Sequence, residues 1–143
     1  MGAAISRKTV TDFYAALASR DADRIASFVA EQVDWLIIGP VEFLHFCGQR
    51  RTRAEVHEVF ARLVPEILDV TSYDQDYVLV DGDLVAALGR LTATQRRTRR
   101  VVSFRLAHFM RFRDDKIVEY RSLIDTLDAA EQMLGREVDL SAG

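Results

Sequence analysis

The chain has 143 residues, 49% hydrophobic and 29% charged, so it is sized and balanced for a single packed domain over 1–143, not for a disordered or collagen-like segment. Its formal net charge of −3 gives no basic footprint, which excludes nucleic acid as a first partner. A single cysteine, Cys47, rules out an intrachain disulfide and points to a reducing cytoplasm, while Arg7 and Lys8 come before any apolar run long enough for a secretory signal or a membrane anchor.

Val10, Phe13, Tyr14 and Leu17 recur at i, i+3, i+4 and i+7, which predicts a first helix over 9–18. Asp21 offers a side-chain acceptor for a second helix over 22–30, with Ile25, Phe28 and Val29 on one face. Residues 33–38 are β-branched and aromatic and run into Gly39-Pro40, the pattern of a strand that ends in a turn. Residues 41–51 read as an irregular connection. Thr52 and Glu55 form a capping box for a third helix, whose period continues through Val56, Val59, Phe60, Leu63 and Ile67. Pro65 removes one backbone donor and should kink or end that helix near Val64. From 73 to 126 the period falls to two, with turns at Asp81-Gly82-Asp83, at 95–98 and at Asp114-Asp115, giving an antiparallel meander of about four strands. Asp128 and Glu131 can cap a short closing helix that Gly135 stops.

Helices followed by a long meander make an α+β domain, and helices laid across a strongly curved sheet leave a cone-shaped space suited to a small hydrophobic molecule. In order along the chain, Asp12-Phe13-Tyr14-Ala15-Ala16-Leu17, Arg20-Asp21-Ala22-Asp23-Arg24-Ile25 and Val33-Asp34-Trp35 resemble the opening of the nuclear-transport-factor-2-like superfamily. Gly48 with the helix over 54–63, and Lys116-Ile117-Val118-Glu119 leading to Ile124-Asp125, are similar to its SnoaL-like and ketosteroid-isomerase-like branch. The resemblance implies a cone-shaped, cystatin-like α+β barrel with a strongly curved antiparallel sheet and three N-terminal helices around a pocket. It also implies a homodimer through the sheet face and no metal or organic cofactor. Relatives of this kind include isomerases, cyclases, dehydratases, epoxide hydrolases and proteins that only bind. The expected function is therefore acid–base chemistry on a hydrophobic ligand, with a non-catalytic binding or assembly module as the alternative.

Along 101–113 the even positions Val102, Phe104, Leu106, His108, Met110 and Phe112 form an apolar face, against Ser103, Arg105, Arg111 and Arg113 at odd positions, so the even face points inward. His108 is the one titratable group on it, either a neutral pocket imidazole for acid–base work or a core histidine bonded to backbone or water. Further on, Ile117, Glu119, Arg121, Leu123 and Asp125 share one face and Val118, Tyr120, Ser122 and Ile124 the other, and either can be inward. The resemblance favours Asp125, because SnoaL-like cyclases carry an acid/base aspartate at the end of this strand. Arg121 is then a ligand contact, and the alternative role for Asp125 is to cap the last helix or to pair with Arg121. Val118, Tyr120 and Ile124 would in that case face outward, too apolar for an open sheet surface, and a dimer should cover them.

Tyr14 sits where ketosteroid isomerases carry an oxyanion-hole tyrosine, and it is otherwise a core aromatic with a polar tip. The general-base aspartate of those isomerases would fall near Leu36 and their oxyanion-hole acid near Ala107 or His108, so both carboxyl groups are missing. The only Arg-x-Asp, Arg113-Asp114-Asp115, lies in a turn, which leaves the epoxide hydrolase pair without its geometry. Trp35, Phe43, Phe46, Phe104 and Met110 are candidate walls for a flat ligand or plain core. Cys47 becomes a nucleophile only if its loop folds His45 onto it. His45, His57 and His108 lack metal-ligand spacing, so no metal is expected. The basic runs at 50–53 and 96–100 are solvated, or form an anion-binding rim if both lie on one side of the cone.

Overall fold

A computed structural model describes residues 4–141. Helix α1 (Arg7–Ser19) starts at Ser6, whose hydroxyl accepts from the Thr9 amide, and buries Val10, Phe13 and Ala16. Helix α2 (Ala22–Ala26) is capped by the Asp21 carboxylate, which accepts from the Asp23 and Arg24 amides. It is shorter than the periodicity over 22–30 implies, because strand β1 (Val29–Ile38) already begins at Val29. A register shift between Val29 and Asp34, with polar Glu31 and Gln32 inside it, breaks the two-residue period and hides that first half of the strand.

Strand β2 (Gly48–Thr52) occupies the segment read as irregular. It is an edge strand of Gln49, Arg50 and Arg51, with no apolar alternation to betray it. The capping box opens helix α3 (Arg53–Glu58), with the Thr52 hydroxyl accepting from the Glu55 amide at 3.1 Å and the Glu55 carboxylate accepting from the Arg51 amide at 3.2 Å. Pro65 does not end the helix. A wide π-helical turn over Val59–Leu63 absorbs the misfit, and Pro65 then sits in the first turn of helix α4 (Val64–Ile67), where no donor is missed.

Strand β3 (Leu68–Asp81) starts five residues before the expected position 73, and register shifts at 70–72 and 75–77 mask its alternation. Strands β4 (Leu84–Gln95), β5 (Val101–Arg113) and β6 (Lys116–Ile124) follow the expected turns. Asp114 and Asp115 take φ of 51° and 60°, the paired left-handed residues of a tight hairpin turn. Helix α5 (Thr126–Leu134) closes the domain, capped by Asp125 rather than Asp128 and stopped at Gly135 with φ 72°.

The six strands form one curved sheet in the order β2-β1-β6-β5-β4-β3. It departs from the expected antiparallel barrel in two ways: β1 runs parallel to β6, and the β2 and β3 edges do not meet, so the barrel stays open. On the concave side every even position of β5 from Val102 to Phe112 is buried, as its alternation requires. Tyr120 and Ser122 of β6 are buried on that same side, opposite Met110 and His108. Among the described residues no helix is long and apolar enough to cross a membrane.

Candidate functional site

Between the helices and the concave face lies a cavity of about 410 Å³. Its walls are mostly apolar, with Phe46 from the β1–β2 connection, Phe60 from the helical layer and Phe104, Leu106 and Leu91 from the sheet. Four uncharged polar side chains interrupt them: Tyr73 on β3, His108 on β5, and Tyr120 and Ser122 on β6. Tyr73 reaches this position because Gly89 across the β3–β4 ladder has no side chain. A Cβ there would stand 2.6 Å from the Tyr73 ring and hydroxyl. The Tyr73 hydroxyl is buried without a hydrogen-bond partner.

His108 and Tyr14 are 94 residues apart in the chain and meet at the cavity wall, with 3.1 Å between the Tyr14 hydroxyl and His108 Nδ1. The two rings stack with centroids 5.9 Å apart, and Tyr73 packs beside both, its centroid 5.9 Å from that of Tyr14 and 5.8 Å from that of His108. Burial pushes the imidazole pKa down to about 3 from 6.5 and raises Tyr14, with smaller repulsive contributions from Tyr120 and Tyr73. Burial raises Tyr73 and Tyr120 as well, so all four groups are uncharged at neutral pH. Tyr14 has no other side-chain hydrogen-bond partner among the described residues. With the Tyr14 O–H donating to Nδ1, the ring proton of His108 stands on Nε2; with the other tautomer Nδ1–H donates to the phenol, whose own O–H is then free to donate. The cone therefore offers neutral donors, suited to a carbonyl oxygen or to the negative charge that develops on one.

The expected site residues divide. Tyr14 and His108 come together, and Phe46 and Phe104 line the cavity. Trp35 and Met110 are fully buried behind it. Trp35 stacks on Tyr120 with centroids 3.6 Å apart and edge-on to Phe60, so both act as backing to the wall. Asp125 must be corrected. It is exposed, and its carboxylate accepts from the Asp128 amide at 3.3 Å as the cap of α5. Arg121 must be corrected too, since it lies on the convex face, 2.8 Å from the Asp34 carboxylate. That contact and a 2.8 Å bond from Gln49 hold Asp34 below the usual carboxylate range. The inward face of β6 is thus Tyr120, Ser122 and Ile124, the opposite of the one the Asp125 assignment needs.

His45 is exposed while Cys47 is buried against Gly39, and burial pushes its thiol pKa up to about 12, so no activated nucleophile forms there. The two basic runs diverge. Arg50 binds the carbonyls of Gln49 and His45, and Arg53 binds that of Val29 beside a separate surface groove. Of the two runs only Arg96 lines the cavity, where Arg20, to which the sequence reading gives no site role, joins it. Among the described residues no three His, Cys, Asp or Glu side chains cluster as metal ligands.

The model of the SnoaL-like domain matches residues 10–120. No curated protein matches the chain. A proposed isomerase from Rhodopseudomonas palustris superposes with a TM-score of 0.83 at 29% identity, over 92% of this chain and 100% of that one. An NTF2-like protein from Burkholderia thailandensis gives 0.77 at 28% identity, over 88% and 95%. An epoxide hydrolase from M. tuberculosis gives 0.71 at 16% identity, over 90% and 88%, a likeness of fold alone.

Proposed function

The chain belongs to the SnoaL-like family, and from that premise we propose that it takes a small hydrophobic, carbonyl-bearing molecule into the cone and promotes its enolisation. Isomerisation, cyclisation and dehydration all pass through that step. The observation that carries this reading is the Tyr14–His108 hydrogen bond of 3.1 Å at the wall of an apolar cavity. His108 is the catalytic residue. Its Nε2–H donates to the substrate oxygen as negative charge develops, while the proton leaving the α carbon is taken by the Asp69 carboxylate at the cavity wall, directly or through one water. Tyr14 is a positioning residue that selects the tautomer and holds the ring. The chemistry is carried by the chain's own side chains, in a cytoplasmic setting that a single buried thiol supports.

A homodimer through the outer sheet face is part of the same reading. Ile38, Leu123, Ala107, Leu88 and Tyr77 stand in register across five strands and make an apolar row on that face. Phe109, 48% exposed, lies in the next row. This replaces the face first expected to pair.

The test is deuterium uptake at the carbon α to the carbonyl, followed by NMR for hydrophobic ketones and enones that raise the melting temperature. Wild-type protein should accelerate exchange, His108→Gln should lose about a hundredfold or more, and Tyr14→Phe should lose less, in kcat rather than KM. Exchange that is unchanged in His108→Gln removes the catalytic role. A second reading, a binding cone without turnover, is favoured by one observation: among the described lining residues the only carboxylate is Asp69. Binding of ketones without any exchange supports that second reading.

A further inference from the structure

We infer that the mouth of the cone is an anion clamp, and that the ligand is an amphipathic organic acid with its apolar body inside and one carboxylate, or an equivalent singly charged oxyanion, between Arg20 and Arg96. The inference rests on the reading of the cone as a ligand site and adds the ligand's charge and orientation. Both arginines line the same cavity, and each is pinned to backbone at its edge: Arg20 donates to the Val70 carbonyl and Arg96 to that of Pro65. The Arg96 amide also donates to the Ile67 carbonyl at 2.9 Å, which fixes the start of the β4–β5 turn against the helical layer.

Two cations face the mouth against one carboxylate, Asp69, which is 3.9 Å from Arg96. Arg20 makes no ion pair among the described residues. The interior holds only uncharged Tyr, His and Ser, so an anionic group gains nothing by moving deeper and is held where the guanidinium groups are. A ligand anchored in this way turns its other end toward His108.

Arg20 occupies a position that glycine normally takes. It ends α1 with φ 60°, in the left-handed region, and donates its amide to the Leu17 carbonyl. A side chain kept at a strained cap has a use that the cap itself does not supply. Arg20→Gly is therefore a variant that should fold at least as well while losing the clamp.

Anilinonaphthalene sulfonate and neutral phenylnaphthylamine share one apolar body and differ by the anion, so their fluorescence titrations on the full chain separate the two claims. The sulfonate should bind about tenfold more tightly than the neutral probe at low salt and lose most of that preference near 0.5 M salt. Arg20→Gly and Arg96→Gln should each weaken the sulfonate about threefold to tenfold and leave the neutral probe unchanged. Equal affinity for the two probes, a preference insensitive to salt, or variants that weaken both probes alike would overturn the clamp and leave the cavity as a ligand site. If neither probe binds, the reading of the cone as a ligand site falls, and the clamp with it. The salt titration needs only wild-type protein, so a variant that fails to fold does not block the test.

Discussion

Replacing His108 should change how stability depends on pH, in a direction and by an amount that its burial sets. The native imidazole has its pKa pushed down to about 3 from 6.5. The unfolded chain therefore binds a proton between those values that the native state refuses. The stability this group contributes is complete above pH 6.5 and drains away as pH falls toward 3. At pH 5 the two pKa values give a loss of about 2 kcal/mol relative to pH 8, rising to about 5 kcal/mol once the native imidazole itself is protonated. Urea unfolding at pH 8 and pH 5, at one fixed protein concentration, measures it in wild-type protein and in His108→Gln. Every other ionisable group is common to the two proteins, so its contribution cancels in the difference. Wild-type protein should lose about 2 kcal/mol more than the variant. Parallel losses in the two proteins would mean that His108 is solvated in the native state and that its burial in the cavity wall is wrong.

Asp125→Ala should cost about 1 kcal/mol of stability, the usual worth of an N-cap, and leave binding of neutral probes untouched. Lost probe binding at unchanged stability would return the carboxylate to the cone. Phe109→Asp should convert a dimer to a monomer in sedimentation at micromolar concentration, because it puts a charge beside the apolar row of the outer face. A wild-type monomer at the same concentration would remove the dimer from the proposal.

Strand β5 was legible because its alternation from Val102 to Phe112 is unbroken, and His108 could be placed on the inner face from that pattern alone. Strand β6 was not, because each of its faces mixes apolar with polar residues. What settles it is the pairing of Ser122 with His108 and Tyr120 with Met110, a matter of register that one strand cannot report. Asp125 misled for a related reason. It shares parity with the outward Arg121 and Leu123, and the chain has already left the sheet at Ile124 to enter α5. The early starts of β1 and β3 were hidden by register shifts, and β2 by its polar edge composition. Arg20 could not be found by pattern, since nothing in its neighbours signals that a helix end and the β4–β5 turn converge on one opening. The Tyr14–His108 pair was half legible. Both residues were candidates, and only the packing of α1 over β5 made them partners.

Gly89 bears on how such a protein diversifies. The Tyr73 ring rests in the notch left by the missing side chain, so even a methyl group at position 89 must lever that ring away from the sheet. Tyr73 is itself part of the wall, and the space it would enter is the cavity. A single substitution outside the Tyr14–His108 pair can therefore shrink the set of ligands that fit while leaving the reactive groups in place, which makes position 89 a volume dial for ligand choice.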